Sequence, residues 1–236
     1  MNRWVPSISV LAILTMYIFP SLAWAEEATD ARHTIEKAAI AVERIRDELS
    51  PSADLDDALE RAKGVLIIPS YYKAGFIIGG SYGDGALLVR QRDGGFGDPA
   101  FYRMTGGSIG LQAGMQSAEI VFAIITDKGL EAVLTDEFKL GANVGISIGS
   151  VGMGAEAATT TNIGQDIVAY SVNVGLFAGG SLEGAIIKPR QDWNAAVYGV
   201  GNDRPREIIH RDQLRTADRL KNTLGLQTNG PFASPG

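Results

Sequence analysis

The sequence predicts an α+β domain: a glycine-rich, strongly curled antiparallel β-sheet, barrel-like in section, flanked by N-terminal helices and a C-terminal helix. Three observations carry this. Glycine numbers 29 in 236 residues, and 24 of these lie within residues 64–184, interleaved with Val, Ile, Phe and Tyr. Glycines inside strands recur where a sheet bends sharply or where backbones approach closely. Residues 26–63 contain no glycine and space their apolar residues helically, and that spacing returns after Pro205.

Residues 1–25 form a leader in this reading. Arg3 supplies a positive start, an apolar run follows to Pro20, and Ala23-Trp24-Ala25 is a small-residue cleavage site before Glu26. Cleavage after Ala25 removes Arg3 alone and takes the net charge from −6 to −7. The chain contains no Cys, which excludes disulfides, thiolate metal sites and a cysteine nucleophile. An exported protein without Cys suits a bacterial periplasm or the outside of the cell.

Residues 26–63 form the N-terminal helical segment. Ile35, Ala39, Val42, Ile45 and Leu49 share one helical face, and Ser50-Pro51 ends that helix. Ser52 is the expected cap of a second helix, through Leu55, Leu59 and Ala62, with Asp54, Asp56 and Asp57 near its positive end. These aspartates lack the spacing of a calcium loop. Residues 64–200 form the β body. Strands are expected over 64–68, 74–78, 86–90 and 119–125, with hairpin-like turns at Gly83-Asp84-Gly85 and Asp93-Gly94-Gly95. Residues 127–134 read as one short helix. Residues 201–236 supply a C-terminal helix with Leu214, Ala217, Leu220 and Leu224 on one side, then a disordered tail at Asn229-Gly230-Pro231. Strands apolar on both faces argue for a water-soluble domain, since a membrane-spanning barrel alternates around a polar lumen.

Catalytic motifs fail on context. The hydrolase pattern G-x-S-x-G occurs three times, around Ser81, Ser108 and Ser147, with His210 downstream. Three hits in a Gly/Ser-rich sheet reflect composition, because a nucleophile elbow needs one strand followed by one helix. Gly152-Met-Gly154 imitates a dinucleotide loop without the helix after it. His33 reads as a surface histidine. No cofactor and no enzymatic activity are expected. The net charge of −6 argues against a nucleic-acid binder.

The glycine-rich body resembles the SYLF domain. The resemblance runs through Ala62-Lys-Gly64-Val-Leu-Ile-Ile-Pro69, Lys73-Ala-Gly75-Phe-Ile-Ile-Gly79-Gly80-Ser-Tyr-Gly83-Asp-Gly85 and Arg90. It continues through Pro99-Ala-Phe101, Gly106-Gly-Ser108-Ile-Gly110, Tyr170-Ser171, Gly175-Leu-Phe177-Ala-Gly179 and Asn194 to Tyr198-Gly199. It covers roughly residues 30 to 210. The family implies a non-catalytic domain that binds phospholipids, with phosphoinositides the ligands of eukaryotic members and an amphipathic helix at the N-terminal edge contributing there. This sequence departs from the family pattern at Phe96-Gly97-Asp98-Pro99, at Ser150 and Met153, and at Val172 and Val174.

The expected function is therefore a non-enzymatic phospholipid-binding protein of the bacterial cell envelope. The alternative is a structural or assembly module that binds an envelope protein partner; a serine hydrolase ranks third. The expected partner is an anionic phospholipid or membrane surface; actin is not expected for an exported bacterial protein. Candidate headgroup ligands are Lys63, Lys73, Arg90, Arg103, Arg211, Arg215 and Arg219, cations suited to charge-assisted bonds with phosphate oxygens. Six basic against three acidic residues across residues 204–221 select the C-terminal helix as the membrane contact. Its removal after Pro205 is expected to leave the sheet folded.

Overall fold

A computed structural model describes residues 9–49, 53–75, 78–109, 114–142, 144–149, 165–171 and 184–225. The chain opens with α1 (Ser9–Glu48) and α2 (Ala53–Arg61). It continues with β1 (Gly64–Gly75), β2 (Ile78–Val89), β3 (Ala100–Ile109), β4 (Gly114–Ile124) and α3 (Asp127–Val133). Four short strands follow: β5 (Phe138–Lys139), β6 (Ile146–Ile148), β7 (Ile167–Tyr170) and β8 (Ile186–Pro189). The last elements are α4 (Gln191–Tyr198), α5 (Pro205–Ile208), a 3-10 turn at Arg215–Ala217 and α6 (Asp218–Leu224).

The strands form one sheet in the order β5-β8-β3-β2-β1-β4-β7-β6. Phe138 on one outermost strand and Ile146 on the other pack into the same apolar cluster, together with Leu66, Leu87, Tyr102 and Phe122 from the centre. Opposite edges of an eight-stranded sheet meet only if the sheet curls strongly, which gives a half-barrel with this cluster inside it. The outer face carries a second cluster, built from Ile35, Val42 and Ile45 of α1, Leu55 and Leu59 of α2, and Leu220 and Leu224 of α6, against Val65, Leu88 and Val121. Each such side chain, fully buried, contributes about 1.5–3 kcal/mol.

Several expectations change on contact with the structure. The sheet is mixed rather than antiparallel, because β6 and β7 run parallel. The helix α1 passes Pro20 without a break. The strand expected over residues 74–78 is where β1 ends and β2 begins. Gly83-Asp84-Gly85 is not a hairpin turn but the interior of β2, facing an irregularity in β1. There one extra residue at Pro69-Ser70 shifts the register between Ile68 and Tyr71, a bulge that also accommodates a proline inside a strand. A Cβ on Gly85 would stand 2.2 Å from the Ile67 carbonyl oxygen, so the bulge requires glycine opposite it. Asp93-Gly94-Gly95 is a turn as expected, with Gly94 at φ 90° and Arg90 bridged to Phe96.

The C-terminal region is three short pieces rather than one helix, and its apolar side chains are not available to a membrane. Ile208 and Ile209 enter the inner cluster, while Ala217, Leu220 and Leu224 enter the outer one. Truncation after Pro205 therefore opens both cores. The cap Ser52, Gly152-Met-Gly154, Ser150, Met153, Val172, Val174 and the Asn229-Gly230-Pro231 tail lie outside the described residues.

Asp166 ties the start of β7 to two neighbouring segments. Its carboxylate accepts hydrogen bonds from the Thr126 hydroxyl (2.5 Å), the Gly145 N–H (3.0 Å) and Lys128 Nζ (3.2 Å). The Thr126 bond, against the opposing effect of burial, holds the carboxyl below its ordinary pKa. A depressed carboxylate adds stability that is complete above its unfolded value of about 3.9 and is lost as pH falls through the folded value. Acid titration of unfolding free energy is thus expected to show a shallower decline below pH ~4 in Asp166→Asn than in the parent.

Candidate functional site

The long β1–β2 hairpin is shaped by its bulge. Before it, Leu66 and Ile68 face the inner cluster while Val65 and Ile67 face α1. The extra residue inverts this parity, so Tyr71 points inward and Tyr72 outward. The buried Tyr71 hydroxyl meets Ser81 Oγ at 2.7 Å, and Ser81 donates to the Gly106 carbonyl at 3.2 Å. Burial raises the Tyr71 pKa, with the Ser81 bond opposing. On the outer face Tyr72 pairs across the strands with Tyr82, ring centroids 5.8 Å apart. Tyr72 is 41% and Tyr82 53% exposed, an unusual state for two aromatic rings in central strands. Lys73, half-buried, stands opposite Ser81 on the inner face.

A cavity of about 310 Å³ lies at the foot of Tyr72, lined by Arg44 and Glu48 of α1, by the bulge residues Pro69 and Ser70, and by Glu119. Arg44 donates to Glu119 at 2.7 Å. Burial pushes the Glu119 carboxyl up, while Arg44 draws it down.

The seven cations singled out from sequence do not form one cluster. Arg90 is structural: its guanidinium donates to the carbonyls of Leu59 (2.6 Å), Ala62 (2.9 Å) and Gly94 (2.7 Å) and lies 4.5 Å from the centroid of the Phe96 ring. It satisfies carbonyls at the end of α2 that the helix leaves open. Arg103 makes two 2.7 Å bonds to Asp84, which also accepts from Arg190 at 2.9 Å. Lys63 pairs with Asp127 and Arg219 with Glu43, while Arg215 lies 3.8 Å from Asp218. Arg211 donates to Asn202 over the Tyr198 ring. Lys73 alone of the seven makes no ion pair or side-chain hydrogen bond among the described residues.

The three hydrolase-like serines stand inside β2, β3 and β6 rather than at a strand-to-helix turn. Sequence reasoning missed Tyr72 and Tyr82. Their signal was available: they sit inside a run, residues 69–83, whose single charge is Lys73.

Comparison with known proteins agrees with this architecture. Residues 105–226 match the family profile described as Ysc84, Las17-binding protein actin regulator. The chain is 38% identical over 148 residues to LAS seventeen-binding protein 3 of Saccharomyces cerevisiae, covering 61% of this chain and 32% of the yeast protein. It is 30% identical over 160 residues to the SH3 domain-containing YSC84-like protein 1 of Bos taurus, covering 67% of this chain and 46% of the bovine protein. The chain thus spans less than half the length of these relatives. The family match extends over more than half of this chain, from the middle of β3 to the end of α6, and the chain belongs to the Ysc84 (SYLF) family.

Proposed function

We propose that this protein binds phospholipid membranes without catalysing a reaction, as an exported protein of the bacterial cell envelope. The observation that carries the reading is Lys73, a cation with no acidic partner among the described residues, beside the exposed Tyr72–Tyr82 pair. A lysine flanked by amphipathic aromatic rings is suited to the phosphate layer of a membrane, where the rings favour the interface and the ammonium reaches an anion. The other six candidates are held by partners inside the protein, which lowers their availability to a headgroup.

Co-sedimentation of the purified protein with phosphatidylcholine vesicles of rising phosphatidylglycerol content tests the reading. Binding is expected to strengthen with anionic content, and Lys73→Gln to weaken it about fivefold, since one surface cation is worth about 1 kcal/mol at an anionic membrane. Absence of binding at every composition rejects the proposal. Export with removal of residues 1–25 is part of it. The packed face of α1 begins at Ala28, just beyond the expected cleavage point, and N-terminal sequencing of the exported protein is expected to start at Glu26.

The name of the yeast relative, a LAS seventeen-binding protein, supports a second reading: a module that binds a protein partner. It predicts complexes that form with purified partner and are indifferent to vesicles.

A further inference from the structure

We infer that the membrane contact is the outer face of the sheet's far end, which enters the headgroup layer strand-ends first until a row of charges stops it. This rests on the lipid-binding reading above and adds to it the surface, its depth and its orientation.

The outer face of β1 to β4 has three zones along the strand axis. The first, below the bulge, is covered by helices: Val65, Ile67, Leu88, Phe101 and Val121 are buried in the cluster that contains α1. At the level of the bulge, charges cross the face from strand to strand. Glu119 on β4 lies opposite the bulge, Asp84 on β2 pairs with Arg103 on β3, and Arg103 is paired across to Lys188 on β8. Arg44 and Glu48 of α1 stand beside Glu119. Beyond the charges lies the third zone, where Tyr72, Ala74, Gly80, Tyr82, Thr105 and Gly107 are all exposed. Their neighbours on the inner face are covered: Tyr71, Ser81, Met104 and Ala118 are buried. Residues 69–83 and 104–118 together carry one charged side chain, Lys73, in a chain that is 20% charged.

A bilayer fits this ordering for three reasons. The cross-strand pairing continues through the third zone, with Tyr72 opposite Tyr82, Ala74 opposite Gly80, Tyr82 opposite Thr105 and Gly80 opposite Gly107. Paired backbone groups enter an apolar layer at little cost, whereas unpaired ones cost several kcal/mol each. The depth also matches. Tyr72 lies three residues from the end of β1 at Gly75, about 10 Å at ~3.3 Å per residue, and interfacial elements bury about 5–10 Å into the headgroup boundary. With the strand ends inserted, Tyr72 and Tyr82 reach the level that interfacial tyrosines favour. The Glu119, Asp84 and Arg103 level stays in water, because desolvating an ion costs several kcal/mol. Lys73, the one charge inside the zone, has no acidic partner and complements the phosphates it meets. The sequence uncharged end, tyrosines, charges is an order along a single axis. A planar partner imposes such an order, and a protein surface does not.

The absence of cysteine makes the test clean. A Cβ at Gly80 or Gly107 meets nothing within 4 Å, so Gly80→Cys and Gly107→Cys each accept a nitroxide label without strain. Val200→Cys, at a site 71% exposed, is the control. With phosphatidylcholine vesicles containing phosphatidylglycerol, labels at 80 and 107 are expected to gain contact with dissolved oxygen and lose contact with an aqueous nickel chelate. The label at 200 is expected to change in neither. Tyr72→Ser combined with Tyr82→Ser is expected to lower vesicle affinity about tenfold, as buried interfacial area is lost, with thermal unfolding unchanged. Vesicle binding with both labels still in water overturns the assigned surface and leaves the lipid-binding reading standing. No vesicle binding by the parent protein overturns both. Undiminished affinity in the double tyrosine variant overturns the surface. So does conversion by that variant of a parental dimer into a monomer, which would assign the face to a second copy of the chain.

Discussion

Asp98→Ala is expected to destabilise the protein by about 3–5 kcal/mol, the usual cost of removing one partner of a buried ion pair. Asp98 is 0% exposed. Its carboxylate accepts from Lys221 Nζ at 2.7 Å, from the Gln213 N–H at 2.9 Å and from the Leu214 N–H at 3.2 Å. It thereby joins the turn before β3 to the chain entering the 3-10 turn and α6. Alanine leaves a largely buried ammonium and two backbone donors without their acceptor. Urea unfolding followed by circular dichroism measures the loss, and Asp98→Asn, which retains an acceptor oxygen but not the charge, is expected to fall between alanine and the parent. The pair also fixes an alkaline limit. Burial lowers the Lys221 pKa, but the carboxylates of Asp212 and Asp98 raise it by more, so it ends above its ordinary value. A raised ammonium adds stability that is complete below its unfolded value of about 10.4 and is lost as pH rises through the folded value. Lys221→Met is expected to lack that alkaline step.

Arg90→Ala is expected to cost about 2–4 kcal/mol, because charge-assisted hydrogen bonds contribute about 1.5–3 kcal/mol each and three carbonyls lose their donor together. The Phe96 ring loses its cation as well. The junction between α2 and β1 is the site affected, since Leu59 and Ala62 supply two of the three carbonyls. Vesicle affinity per folded molecule is expected to stay at the parental value, because the guanidinium is committed to backbone oxygens. A variant as stable as the parent, or one with specifically weakened vesicle binding, would show that Arg90 serves the surface instead.

These two residues show what the sequence disclosed and what it concealed. The face of α1 was legible from the period of Ile35, Ala39, Val42 and Ile45, because a helix against a sheet buries one stripe and composition alone records it. The curl of the sheet was legible in its glycines. The parallel pairing of β6 with β7 was not, since two short apolar strands carry no signal for direction. Arg90 looked like a headgroup ligand because a cation beside a glycine turn has the same letters whether its partner is a phosphate or a helix end. Asp98 was visible only as a departure from a family pattern; its meaning depended on Lys221, 123 residues away in the chain. Tyr72 and Tyr82 were hidden by the bulge, because strand periodicity counted from Val65 places Tyr72 on the wrong face.

That bulge gives chain length a role usually reserved for side-chain identity. Removing one residue at Pro69-Ser70 would restore simple alternation along β1, turning Tyr71 and Lys73 outward and Tyr72 and Ala74 inward, while every position up to Ile68 kept its place. Most proteins confine insertions and deletions to loops, where a change of length alters reach and little else. Here a single codon in mid-strand acts as a phase shift. It exchanges the two chemical characters of half a strand with no substitution at any of the positions affected. In a lineage that carries this strand, the length of the segment between Ile68 and Tyr71 therefore says more about what the far face can touch than the residues that follow it.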